Sequence, residues 1–149
     1  MTRFFKTPLL TARAGTTPTS ECWRQCGEQV GNHTHIFWTC PKLRRFWNIV
    51  FNDINRVFDT QLPHDFKTAI LGIIPTGFEG RKNIYLLQIL LTAAKKTITI
   101  NWLGAHPPTR DQWLSKVKEI RDMERITYLL RLQKEQYNKK WAPFALIEV

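Results

Sequence analysis

The chain is short of acids and of long apolar stretches. Twelve Asp and Glu stand against 22 Lys and Arg, giving a formal net charge of +10 at pH 7 and a pI near 9.9. An excess of that size draws polyanions by counterion release and long-range steering, nucleic acid first and an anionic surface second. The longest apolar run, Ile84 to Ala94, is interrupted by Gln88 and stops at Lys95-Lys96, too short to span a bilayer, so no membrane partner is expected. Met1 to Leu10 holds Arg3, Lys6 and Pro8 and no apolar stretch of signal length, so the expected place is intracellular, cytoplasmic or nuclear. Cysteine is scarce too. Three residues cannot all pair as disulfides, and in a reducing compartment closely spaced Cys beside His favours a metal. Internal repeats, heptad seams and low-complexity tracts are missing, which excludes solenoid and coiled-coil architectures.

What is present is enough for a folded domain. Apolar residues make up 43% of the chain and charged residues 23%, with six Trp and nine Phe. That is more aromatic surface than a disordered tail holds. Residues 1–21 read as an irregular N-terminal segment. Residues 22–40, rich in Gly, Asn, Thr and His, suit a compact loop wrapped around an ion, too short for a core of its own. Residues 41–149 read as a helical domain, folded with the knuckle as one unit.

Pro41 fits the first position of a helix in which Phe46, Trp47, Val50, Phe51, Ile54, Val57 and Phe58 recur at helical spacing. A short helix is expected between Asp65 and Gly72. A long one follows from Arg81 to about Leu103, with Ile84, Leu87, Leu91, Ala94, Ile98 and Trp102 on one face, Gly104 as its stop, and the β-branched run Thr97 to Ile100 as a weak point. Thr109 and Gln112 have capping-box spacing at the start of a fourth helix, through Trp113, Val117, Ile120 and Met123 to about Asn138. The expected fold is mainly α: a small zinc knuckle followed by a bundle of about four helices.

All three cysteines and two of the four histidines fall within nineteen positions. Cys22-x3-Cys26-x8-His35-x4-Cys40 supplies three thiolates and one imidazole, a closed tetrahedral set whose softness selects Zn²⁺ over magnesium or calcium. His35 is the favoured nitrogen ligand because its short reach to Cys40 ends at a helix start, and His33, two residues earlier, is the rival. Three buried reduced cysteines in an aromatic core are the alternative explanation. His64 and His106, beside prolines, read as surface residues.

The segments Cys22-Trp23-Arg24-Gln25-Cys26-Gly27-Glu28 and His35-Ile36-Phe37-Trp38-Thr39-Cys40-Pro41, with Phe46-Trp47, resemble the C-terminal zinc-binding segment of LINE-1-type, non-LTR retrotransposon reverse transcriptases. Arg3 to Pro8, Trp102 to Trp113 and Trp141-Ala142-Pro143 extend the likeness over nearly the whole chain. The resemblance implies binding of the element's RNA in support of target-primed reverse transcription, and a reverse-transcriptase core as a possible protein partner. The paired aspartates of a Tyr-x-Asp-Asp hairpin are missing from the chain, and so is any Asp, Glu and His constellation suited to phosphodiester cleavage. No catalytic residue is assigned, and the chain is not expected to be an enzyme.

Zinc knuckles hold single-stranded segments by splaying bases onto aromatic faces while cations track the phosphates. The expected RNA- or single-stranded-DNA-binding residues are Trp23 and Arg24 within the first turn, and Lys42, Arg44 and Arg45 just beyond the last ligand. The competing expectation is that Trp23, Phe37 and Trp38 anchor the knuckle to the first helix and that the cations form a solvated helix face. The C-terminal cations Lys95, Lys96, Lys116, Lys118, Arg121, Arg125, Arg131, Lys134, Lys139 and Lys140 are interspersed with acids and read mainly as helix-surface charges. Asp53, Asp59, Asp111, Glu119 and Glu124 are likewise expected at helix surfaces or starts. Two further functional readings stand beside the first: a structural-zinc protein-interaction module docking on a reverse-transcriptase core, and an inactive retrotransposon-derived fragment.

Overall fold

The computed structural model describes Cys22, Arg24, Cys26, residues 32–100 and residues 106–148. Among these residues there are helices, turns and no strand, the mainly α class that the periodicity predicts. Residues 1–21, Trp102 and Gly104 lie outside the described residues.

Pro41 opens a single 3-10 turn, Pro41–Leu43, that runs into helix α1, Arg44–Phe58. Its missing N–H costs nothing at that position, where no helical acceptor awaits it. Phe46, Trp47, Val50, Phe51, Ile54 and Val57 are buried along one side of α1. The helix ends at Asp59 in the left-handed region, φ 47°, with its N–H on the Asn55 carbonyl. Asp65 caps the four-residue helix α2, Phe66–Ala69, its carboxylate accepting from the Lys67 N–H at 3.2 Å.

Helix α3, Arg81–Ile100, buries Leu86, Leu87, Leu90, Leu91, Ala94 and Ile98. The weak stretch Thr97 to Ile100 stays helical because Thr97 and Ile98 are buried in the core and the Thr97 hydroxyl donates to the Ala93 carbonyl at 2.7 Å. Tertiary burial here outweighs the small propensity cost of β-branching. Helix α4, Arg110–Leu130, begins with the expected capping box, Thr109 and Gln112 each accepting from the other's main-chain N–H. Trp113 is fully buried and ties α4 to α3 by donating its indole N–H to the Leu90 carbonyl at 2.9 Å.

The expected last helix is two. The chain turns at Leu132, φ 55°, and restarts as α5, Lys134–Trp141, before a final 3-10 segment, Ala142–Leu146. No glycine marks that turn in the sequence. What holds it is the return of α5 onto α4: Lys140 donates to both oxygens of Glu124 at 2.9 Å, and the Trp141 indole donates to the same carboxylate at 3.0 Å. Glu124 therefore anchors α5 rather than decorating a surface. The split also leaves the far end of α4 uncovered, so that Met123, expected in the core stripe, is exposed together with Ile126 and Leu130.

Asp53 departs from expectation in the same way. It is buried in α1, and its carboxylate accepts from Arg110 Nε at 2.7 Å while Arg110 Nη2 donates to the Ile147 carbonyl at 3.0 Å. One guanidinium thus joins α1, the start of α4 and the last turn of the chain. Cys22, Ile36, Phe37 and Cys40 share one continuous core with the helices.

Candidate metal centre

The four expected ligands converge. One donor atom each from Cys22, Cys26, His35 and Cys40 lies within 4.8 Å of every other, and Cys22, His35 and Cys40 are buried. Cys22 Sγ and Cys40 Sγ are 3.9 Å apart, and Cys26 Sγ is 3.3 Å from His35 Nε2. All three cysteines are free thiols. His33 is not in the cluster; its ring sits 6.3 Å from that of Phe37.

The local backbone explains how His35 and Cys40 meet. His35–Thr39 is a π-helical turn in which the Cys40 N–H bonds to the His35 carbonyl, five residues back, at 2.9 Å. Asn32 starts this turn, its side chain accepting from the His35 N–H at 2.8 Å and its carbonyl from the Ile36 N–H at 2.9 Å. Single π turns are rare and gather at functional sites.

Such a wide turn leaves carbonyls without main-chain donors. The Ile36 carbonyl would look five residues on to Pro41, which has no N–H. Arg24 fills the gap, Nη1 donating to Ile36 O at 2.9 Å. The Phe37 carbonyl accepts from the Trp47 indole at 2.8 Å, which fastens the turn to α1. Leaving either carbonyl unpaired in a buried place would cost on the order of 1–3 kcal/mol. Sequence reasoning missed Trp47 as a site residue. The proline directly after the last ligand was the available signal.

Arg24 is only 2% exposed, and its Nε and Nη2 have no hydrogen-bond partner among the described residues. Its guanidinium faces inward, so the expectation that Arg24 contacts phosphates is not met in this arrangement. Trp23 lies outside the described residues. Lys42, Arg44 and Arg45 are all exposed beside the last ligand, but they diverge: Lys42 and Arg45 line one cavity with Pro107, Pro108 and Arg110, and Arg44 lines another with Trp38 and His64. Trp38 packs 5.1 Å from the Trp47 ring, the anchoring role rather than a fully solvent-facing one.

The electrostatics of the metal-free cluster are unfavourable to a thiolate at Cys22. Burial pushes the Cys22 thiol up to about 12, and the nearby Cys40 and Cys26 add to the rise against the pull of the Arg24 main-chain N–H. A cation at the centre of the four donors reverses that preference, since a coordinating thiol loses its proton outright. The imidazole is already oriented for such a role. With Nε2 turned toward Cys26, Nδ1 lies 3.3 Å from the Thr39 hydroxyl, a partner that helps orient the ring. The donors present therefore fit a four-coordinate metal ion. The sequence matches no protein-family model. None of the described helices is long and apolar enough to cross a membrane.

Proposed function

We propose that the chain is a zinc-dependent nucleic-acid-binding module, for RNA or single-stranded DNA, without a catalytic centre of its own and resembling the C-terminal segment of LINE-type reverse transcriptases. The convergence of Cys22, Cys26, His35 and Cys40 carries the metal half of this reading. Tetrahedral zinc, with Zn–S about 2.3 Å and Zn–N about 2.0 Å, requires sulfur–sulfur edges of about 3.8 Å and sulfur–nitrogen edges of about 3.5 Å. The distances of 3.9 Å and 3.3 Å are close to both. Three thiolates and one imidazole leave no open position, which suits a structural ion.

The nucleic-acid half is supported by the net charge of +10 and by Lys42, Arg44 and Arg45 standing exposed directly after the last ligand. Much of the C-terminal charge is spent internally: Lys116 pairs with Glu119, Arg121 with Glu148, Lys139 with Glu135 and Lys140 with Glu124. The cations beside the metal centre are the better candidates. The test is metal analysis of reduced protein, followed by RNA and single-stranded DNA titrations over several salt concentrations, with Cys26→Ser as the comparison and folding followed in parallel. One zinc per chain and an affinity that falls steeply with salt are expected. Zinc-free folded protein, or no binding at low salt, overturns the reading.

A protein-interaction module is favoured by one observation. Met123, Ile126, Leu130 and Leu132 are exposed at 71%, 62%, 81% and 94% around the end of α4. A module that ignored RNA at low salt yet captured a reverse-transcriptase core would be of this second kind.

A further inference from the structure

A cavity of about 350 Å³ opens against the metal centre, walled by Trp38, Thr39, Cys40, Arg44, Asn48 and His64. Its floor is aromatic and held from behind. Trp38 lies 5.1 Å from Trp47 and edge-on to Phe51 and Phe66, at 6.2 and 6.3 Å. His64, exposed, stacks on Phe51 with ring centroids 4.9 Å apart and planes 26° from parallel. One imidazole face is thereby spent on Phe51, and the ring is fixed in orientation without being buried. Arg44 and Asn48, four residues apart on α1, are both exposed on the rim. Arg44 forms no ion pair among the described residues, and no carboxylate lines the cavity.

We propose that this cavity takes one unpaired nucleotide: its base against Trp38 and His64, its base edge on the Asn48 amide, and its phosphate on Arg44. The inference rests on the nucleic-acid reading above and names the place where that reading is carried out. Three features select this ligand class. An aromatic floor with a lone cation at the rim suits a flat, anionic molecule. A side-chain amide offers a donor and an acceptor side by side, which base edges match. The volume lies near the bottom of the range for small-ligand pockets, enough for one nucleotide and not for a stacked pair.

The cavity is also tied to the metal. Cys40 forms part of the wall, and Thr39, which lines it, lies 3.3 Å from His35 Nδ1. Loss of the ion frees both walls, so the pocket and the metal centre stand or fall together. Lys42 and Arg45, in the neighbouring cavity of about 360 Å³, are left for phosphates further along a strand.

The experiment is a fluorescence-anisotropy titration of the zinc-loaded chain with a labelled single-stranded RNA decamer over several salt concentrations, with AMP and UMP as competitors. His64→Ala and Asn48→Ala are compared with the double variant Lys42→Gln/Arg45→Gln, and circular dichroism of each checks the fold. Loss of one stacking partner is expected to weaken binding about fivefold or more, with the salt slope unchanged because no phosphate contact is removed. Asn48→Ala weakens it in the same way from an exposed helix position. The double variant is expected instead to flatten the salt slope. Mononucleotide that saturates the site as tightly as the decamer supports the pocket and makes free nucleotide its source. If His64→Ala and Asn48→Ala bind the decamer as wild type does, the pocket is refuted and the module stands. If the wild type binds no nucleic acid, both are refuted.

Discussion

Arg24, between Cys22 and Cys26 in sequence, serves the backbone from a buried position. Three thiolates around a divalent ion would sum to a charge of −1, and the buried guanidinium that holds the Ile36 carbonyl would supply an opposite charge. Removing a group that supports the residues holding a metal commonly lowers metal affinity tenfold or more. Arg24→Met is therefore expected to lose about tenfold in zinc affinity by chelator competition; unchanged affinity would show that the guanidinium serves packing alone. The inward turn of Arg24 was not legible in the sequence. Whether an arginine faces phosphate or protein depends here on a carbonyl twelve residues away that Pro41 cannot serve. The ligands were legible, because soft donors of the right kind crowd into nineteen positions and few other arrangements explain them. The choice between His33 and His35 was less so, since both are near in sequence and only the π turn decides which ring reaches the cluster.

Helices were read well where a stripe of large apolar residues continued for several turns, as in α1. They were read poorly where the deciding contact came from elsewhere. Asp53 looks like a surface acid until Arg110 arrives from 57 residues away, and the α4–α5 break carries no glycine or proline to announce it. Leu132 occupies a left-handed conformation there and is 94% exposed. A residue with a Cβ incurs a cost of about 1–2 kcal/mol in that region. Part of that gain is returned through the more flexible unfolded chain, so Leu132→Gly is expected to stabilise the protein by about 0.5–1 kcal/mol in urea denaturation. A loss of stability would mean that Leu132 makes contacts which outweigh its backbone strain.

Among the described residues one core reaches from Cys22 to Ile147, so the state of the candidate metal centre bears on global stability. Burial pushes the Cys22 thiol of the metal-free protein from an ordinary 9.0 up to about 12. A raised folded-state pKa contributes stability that is complete below pH 9.0 and is lost as the pH climbs toward 12. With zinc bound the direction inverts, because protons compete with the ion for the thiolates and stability falls on the acid side instead. Urea midpoints on both sides of pH 9.0, with and without chelator, are expected to show these opposite slopes; a metal-free midpoint that rises through the same window would contradict the buried thiol. The wide turn between His35 and Cys40 sets a different kind of constraint. Adding or removing one residue there swings the Cys40 sulfur by roughly 100° about the local axis. The stretch can be respelled, but it cannot be lengthened or shortened. Its four intervening letters act as a ruler.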